Sequence, residues 1–148
     1  MLNPALNHVG SLVDSKTKTD DQDKKTEVIK KNKELVCFRD IAPAAPHHYL
    51  VVPKQHIHDC SSLHSGHVDL VERMVKMGKA VLHDQGVADM KDISLGFHPP
   101  PYTSVDHLHL HVLAPASQIF QKKKYKFIPC SHRFVTEQHL KMHLKNIQ

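Results

Sequence analysis

The chain has 148 residues, long enough for one ordinary domain, and its hydrophobic fraction of 40% is enough for one buried core. A formal charge of +5 suits a phosphate-bearing partner but is too modest to indicate duplex binding, and no apolar run is long enough to cross a bilayer. The unusual feature is the count of 15 histidines, which calls for an explanation in metal binding, acid-base chemistry or phosphoryl chemistry.

Three cysteines, Cys37, Cys60 and Cys130, are an odd number at wide spacings. The first residues show no basic start followed by an apolar run and a small-residue cleavage site. We therefore expect a soluble protein of a reducing compartment, cytoplasmic and, because it is small and basic, also nuclear.

Residues 1–25 are polar and mixed in charge, which predicts a flexible tail. We expect a single domain over residues 26–148, with a C-terminal extension from about residue 116. Nothing in the composition indicates an internal repeat.

Five apolar runs bounded by turn residues or prolines are short enough to be strands. They cover residues 27–29, 35–38, 49–52, 93–97 and 105–113. The first two predict a hairpin. Prolines lie before and after the third run, and because proline has no backbone N–H, hydrogen bonding to a neighbouring strand is expected to stop there.

Apolar residues recur at helical spacing over residues 67–83, which predicts the main helix. Ser65 or Gly66 is expected to cap its start, and Gly86 its end. A final helix is predicted over residues 136–144. Strands without regular helix alternation favour an α+β domain with an antiparallel sheet of about five strands, one main helix and a C-terminal helix.

Histidines and apolar residues alternate in the last predicted strand. Because successive strand side chains point to opposite faces, His107, His109 and His111 share one face while Leu108 and Leu110 enter the core. Such a row suits a metal site, nucleotidyl transfer by imidazole attack on phosphorus, or satisfied histidines on a polar face. Spacing alone does not choose among the three.

Crowding of the three rings disfavours the imidazolium form and keeps at least one ring neutral near pH 7, with a nucleophilic lone pair. The other nitrogen of that ring must then donate to a carbonyl or another side chain, which fixes the tautomer.

The segment His-Leu-His-Leu-His-Val-Leu at 107–113 resembles the motif of the histidine triad superfamily. The segment Cys-Phe-Arg-Asp-Ile-Ala-Pro at 37–43 resembles its ribose-binding segment, and residues 47–57 resemble the strand and loop that follow. Three motifs in the right order, spread over about residues 26–115, are more specific than one.

Two further segments, Gly-Phe-His-Pro-Pro-Pro at 96–101 and Leu-Ala-Pro at 113–115, are similar to the branch of histidine triad nucleotide-binding protein 3, with the aprataxin branch next. The resemblance implies a HIT-like fold whose sheets pair in a homodimer or a higher oligomer. It also implies a hydrolase that needs no cofactor and cleaves adenosine 5'-phosphoramidates and acyl adenylates to AMP. Neither a membrane nor a nucleic acid is an expected partner.

Carried over position by position, the resemblance makes His109 the nucleophile of a covalent nucleotidyl-histidine intermediate. His111 would contact the phosphate and its leaving group, and His107 and His48 would orient and polarise the cluster. In the ambiguous pair His47 and His48, the surrounding pattern selects His48.

Nucleotide binding would fall to Asp40, Ile41, Ser104 and the segment that contains His109, Leu110 and His111. Asp40 would hold the ribose hydroxyls, Ile41 would lie against the base or sugar, and Ser104 would lie near the phosphate. The residues themselves leave a second interpretation open, in which Asp40 is a turn former bonding its own backbone and Ser104 a simple loop hydroxyl.

Departures from the pattern occur on both sides of the motif. Asp106 precedes the triad directly, and a carboxylate there would raise the pKa of a nearby imidazole. The Cys-x-x-Cys segment and helix common upstream in the branch are absent. Downstream, four potential zinc ligands lack the second cysteine of a zinc finger, so an amphipathic helix and no metal site are predicted; they are Cys130, His132, His139 and His143.

Other histidines are expected in loops or on the surface, without a catalytic role; they are His56, His58, His64 and His67. Three other functions stay open. One is a noncatalytic AMP-binding adaptor whose basic residues 122–126 meet a protein partner, another is aprataxin-like removal of AMP from nucleic-acid ends, and the third is a metalloenzyme.

Overall fold

The computed structural model describes residues 26–147, so the tail predicted over residues 1–25 lies outside the described residues. The described strands are β1 (Val28–Lys31), β2 (Leu35–Arg39), β3 (His47–Pro53), β4 (Ser94–Phe97), β5 (Leu110–Ala114) and β6 (Val135–Thr136). The α-helices are α1 (Val68–Asp84) and α2 (Glu137–Asn146). Four short 3-10 helices cover Cys60–Ser62, Ser65–His67, Ala116–Gln118 and Gln121–Phe127.

The strands form one antiparallel sheet in the order β1-β2-β3-β5-β4-β6, which confirms the predicted α+β class. The predicted hairpin is the pair β1 and β2. The sixth strand, β6, was missed because two residues are too few to show an alternating pattern. It covers the outer edge of β4 through the pair Gly96 and Thr136.

Helix α1 packs its apolar side on one face of the sheet, as its spacing predicts. Val71, Met74 and Val81 on this side are fully buried. A Cβ at Gly78 would lie 2.7 Å from Cγ2 of Val112, so the bare glycine permits close packing of the helix on β5. This contact holds the apolar face of the triad strand in the core.

The ends of α1 differ in part from the prediction. Ser65 and Gly66 do not cap it; they belong to a 3-10 turn whose cap is His64, and Nδ1 of His64 accepts from the Gly66 N–H at 3.1 Å. The helix proper follows His67, which makes no side-chain cap. Gly86 lies beyond the C-terminal end with φ of +91°, as expected of a C-terminal cap.

The triad strand is shorter than predicted, because β5 begins at Leu110 and not at residue 105. The partner strand β3 ends at Pro53, which has no N–H to continue the ladder. Leu108 donates its N–H instead to the Ile57 carbonyl at 2.6 Å. His107 and His109 therefore lie just before the paired strand, while His111 lies within it.

The part of the C-terminal extension that contains Phe127 and Phe134 lies on the opposite face of the sheet, whereas helix α2 buries Leu140 and Leu144 in the same core as helix α1. On the opposite face, Phe127 and Phe134 are buried against Leu113, Ala44 and Ala45. Helix α2 begins at Glu137, with Oγ1 of its cap residue Thr136 accepting from the His139 N–H at 3.3 Å, close to the predicted start. Over residues 26–147, no helix is long and apolar enough to cross a membrane.

Candidate active site

The histidines of β3 and β5 lie on the sheet face covered by the C-terminal extension. His48 pairs with Leu113 and His111 pairs with Leu50 in the antiparallel register, so both imidazoles project from the same face. Nε2 of His48 lies 2.9 Å from Nδ1 of His111. The rings of His109 and His111 are 5.0 Å apart, so the structure brings three of the four predicted catalytic histidines into one row.

The backbone determines where the protons of this row lie. The Ala44 N–H donates to Nδ1 of His48 at 2.9 Å, so a neutral His48 carries its proton on Nε2. That N–H donates to Nδ1 of His111, which leaves the proton of a neutral His111 on its own Nε2. Within residues 26–147, Nε2 of His111 is buried and has no hydrogen-bond partner. It is a donor available to a phosphate oxygen or a leaving group.

A backbone carbonyl two residues earlier in the chain determines which nitrogen of His109 carries the proton. Nδ1 of His109 lies 2.7 Å from the His107 carbonyl oxygen, which only accepts, so this nitrogen carries the proton. The lone pair of the neutral ring is then on Nε2. The expectation that a carbonyl or side chain fixes the tautomer of one triad ring is confirmed.

His107 lies at the outer end of the row, nearer the surface loops. Its Nε2 donates to the Pro53 carbonyl at 2.9 Å, and its ring contacts His56 with centroids 5.1 Å apart. These contacts connect the start of the triad segment to the end of β3. The His107 carbonyl in turn accepts from Nδ1 of His109.

Burial keeps the row neutral. Desolvation lowers the pKa of His109 from 6.5 to about 4 and that of His48 to about 3, and it holds the pKa of His111 well below its usual value. For His109, the hydrogen bond to the His107 carbonyl and the charge of Asp40 act against this shift. All three rings are therefore neutral near pH 7.

Asp40 joins the row at the His48 end. Its Oδ2 lies 3.4 Å from Nε2 of His48, and its Oδ1 accepts from the Ala42 N–H at 2.8 Å. The second contact is the turn-forming bond of the alternative interpretation. The Asp40 carboxylate therefore both holds the turn at Ala42 and faces His48. Its contact with a ribose stays a prediction.

Three further residues predicted to bind nucleotide are placed less directly. Ile41 and Ser104 are half-buried in the loops after β2 and before β5. The Leu110 side chain is fully buried in the core on the face opposite the histidines. Leu110 can therefore reach a nucleotide only through its backbone.

Sequence reasoning missed three residues at this site. The His98 ring lies 4.6 Å from that of His111, and Phe127 lies edge-on to His48 at 5.7 Å and to His111 at 5.5 Å. Lys123 donates to the carbonyls of Ala42 and Pro43, which ties the basic segment to the loop beside Asp40. His98 could have been found, since it lies two residues beyond Gly96, the cross-strand partner of His111.

Asp106 pairs with His58, and this hydrogen bond raises the pKa of His58. Asp106 is not among the groups that shift the pKa of His109 or of His111. The four downstream candidates for a zinc finger do not converge on one point among the described residues. Cys130 and His139 alone approach, with Sγ and Nδ1 at 3.4 Å.

A cavity of about 790 Å³ lies behind Phe127, between α1, β4 and α2. Lys79, Leu95 and Glu137 are among its lining residues, and none of the histidines lines it. The chemistry is assigned to the histidine row because polar groups of defined protonation converge there.

Known proteins match both the sequence and the fold. The family profile described as scavenger mRNA decapping enzyme C-term binding matches residues 14–126. Adenosine 5'-monophosphoramidase HINT3 of Danio rerio is 55% identical over 71% of this chain and 66% of its own length. The protein of the same name from Xenopus tropicalis is 46% identical over 80% of this chain and 78% of its own length.

Aprataxin is more distant. The protein from Danio rerio is 34% identical over 63% of this chain and 28% of its own length. The solved structure of the aprataxin ortholog Hnt3 in complex with DNA has a TM-score of 0.62 at 21% identity, over 95% of this chain and 75% of that one, which shows a shared fold. With the profile spanning well over half of the chain and the two HINT3 relatives above 45% identity, the chain belongs to the histidine triad superfamily.

Proposed function

We propose that the protein hydrolyses adenosine 5'-phosphoramidates and acyl adenylates to AMP. One observation carries this proposal: a neutral His109 with its lone pair on Nε2 lies beside His111, whose Nε2–H has no partner among the described residues. Nucleotidyl transfer requires a nucleophile next to a hydrogen-bond donor that can stabilise the phosphate oxygens. Relatives named adenosine 5'-monophosphoramidase support the choice of substrate.

In the first step, Nε2 of His109 attacks the α-phosphorus and the bond from phosphorus to the amine or carboxylate breaks. The leaving amine takes up one proton from solvent while the Nε2–H of His111 donates a hydrogen bond to a phosphate oxygen, and a carboxylate leaves as the anion. The Nε2–H of His48 donates to Nδ1 of His111 and so holds the His111 ring in place during the attack on phosphorus. The product is AMP joined covalently to Nε2 of His109.

The nucleotidylated His109 ring carries a positive charge, since its Nδ1 keeps the proton. The His107 carbonyl accepts from that nitrogen, and the Asp40 charge favours the cationic form. In the second step water attacks the phosphorus and the bond to His109 breaks. The attacking water keeps one hydrogen on the phosphate or releases it to solvent, which balances the proton that a leaving amine took up in the first step.

We assign the ribose hydroxyls to Asp40, the base or sugar to Ile41, and the phosphate surroundings to Ser104 and the backbone at Leu110. The turn bond from Ala42 to Asp40 supports this assignment, because it orients the carboxylate next to the histidine row. No cofactor takes part in the proposed steps.

The aprataxin likeness favours a second candidate, removal of AMP from nucleic-acid ends. Its support is the basic segment of residues 122–126, which lies against the site through Lys123. A noncatalytic AMP-binding adaptor is the third candidate, with the same pocket and no turnover.

A substrate panel on one preparation separates these candidates. Adenosine phosphoramidates and acyl adenylates should be turned over far faster than adenylated DNA. His109→Ala should lower kcat by more than about a thousandfold, because the nucleophile is removed. His47→Ala is the matched control, since this half-buried neighbour of His48 bonds Tyr49 instead of the row and should retain activity.

Two outcomes would contradict the proposal. AMP binding without turnover of any phosphoramidate would indicate the adaptor. Fast turnover of adenylated DNA, with DNA binding that weakens steeply with salt, would indicate the nucleic-acid function.

The pH dependence should report the lowered pKa of His109. Only the neutral ring has the lone pair, so kcat/KM should stay constant as the pH falls from neutrality to about 5 and decline only near the pKa of about 4. Initial rates corrected for uncatalysed hydrolysis give this profile. An acidic limb centred near 6.5 would contradict it.

The control for this profile is circular dichroism at each pH. The unfolded chain binds protons on these histidines below about 6.5 while the folded chain does not, so folding stability falls as the pH falls through this range. Rates count only where the protein stays folded.

We also propose the homodimer implied by the resemblance, and a cytoplasmic and nuclear location. All three cysteines are unpaired, which agrees with a reducing compartment. Light scattering should give twice the 16.8 kDa of the chain. A monomer at all concentrations would contradict the dimer.

A further inference from the structure

Three side chains outside the histidine row meet at the surface: His56, His58 and Asp106. One potential ligand atom from each lies within 4.8 Å of the other two. His58 hydrogen-bonds Asp106, and the rings of His56 and His58 are 5.0 Å apart. The side chains of His58 and Asp106 are 62% and 69% exposed, so an ion from solvent can reach them without unfolding.

The fold holds these residues together through buried neighbours. Ile57 and Leu108 are 7% and 2% exposed, and the Leu108 N–H donates to the Ile57 carbonyl at 2.6 Å. His56 and His58 flank Ile57 directly, and Asp106 is two residues before Leu108. The cluster is therefore anchored to the core at the point where the segment after β3 crosses the segment before β5.

A surface ion pair alone does not account for the cluster. An exposed His–Asp pair contributes little to the stability of a fold and needs only two residues. Here a second imidazole converges on the same point, although its ring packs on His58 and His107 and not on the carboxylate. Metal ligation requires the neutral form of imidazole, so two histidines and one carboxylate would give a bound cation one negative charge.

We propose that His56, His58 and Asp106 form a binding site for a zinc ion. Imidazole nitrogen and carboxylate oxygen are both ligands that zinc accepts, and three protein ligands leave a fourth tetrahedral position for water. The ion would replace the direct His58–Asp106 hydrogen bond and join the two crossing segments. Because His56 packs on His107, the site adjoins the start of the triad segment without including its catalytic nitrogens.

The test is a zinc titration of the full chain against a chromogenic chelator, with Asp106→Asn as the main variant. This change keeps the shape of an exposed side chain and removes the charge, so it should leave the fold intact. We expect one equivalent of zinc bound at this site and affinity at least about tenfold weaker in the variant. Cobalt used as a spectroscopic probe should show strong visible absorption that the variant loses.

A pair of double variants controls for the many histidines of the chain. His56→Ala with His58→Ala should abolish the site. His64→Ala with His67→Ala removes another close pair, with rings 4.0 Å apart, and should bind zinc as the unchanged chain does. Circular dichroism confirms that each variant is folded.

The proposal is overturned if the unchanged chain binds no zinc, or if Asp106→Asn and the His56/His58 variant bind it with unchanged affinity. Zinc that persists in the His56/His58 variant and blocks turnover would place the ion in the histidine row instead. That result would also refute the surface site.

Discussion

The hydrogen bond from the Ala44 N–H to Nδ1 of His48 determines which nitrogens of His48 and His111 carry protons. It places the proton of His48 on Nε2, which in turn leaves Nε2 of His111 as a donor. The His107 carbonyl does the opposite for His109 and leaves its Nε2 with the lone pair. Two backbone groups thus leave a lone pair on Nε2 of one ring and an N–H on Nε2 of the other, and burial keeps both rings neutral.

The part of this site that could be predicted depended on local patterns. Side chains in a strand alternate between its two faces with a period of two residues. This alternation predicts that His107, His109 and His111 face away from Leu108 and Leu110. The burial of both leucines in the core confirms the prediction. The main helix and the antiparallel sheet followed from periodicity in the same way. His48 required the resemblance, since nothing in residues 47 and 48 alone decides which histidine faces the row.

What the sequence did not reveal depends on contacts between distant segments. Phe127 and Lys123 belong to the C-terminal extension and contact His48 and the loop before it, about 80 residues earlier in the chain. Hydrophobic periodicity acts over a few residues and so cannot predict a contact between segments this far apart. The late start of β5 follows from Pro53 on the partner strand. Asp106 directly precedes the triad in the sequence, whereas the fold pairs its carboxylate with His58 at the surface.

The most direct measurement is the mass of the protein during turnover. The full chain is mixed with excess adenosine phosphoramidate for milliseconds and quenched in alkaline denaturant, which preserves a bond between phosphorus and nitrogen. The proposed mechanism predicts a gain of one adenylyl group, located on His109 by peptide mapping and absent from His109→Ala. Steady turnover without an adduct, or an adduct on another residue, would contradict nucleophilic catalysis by His109.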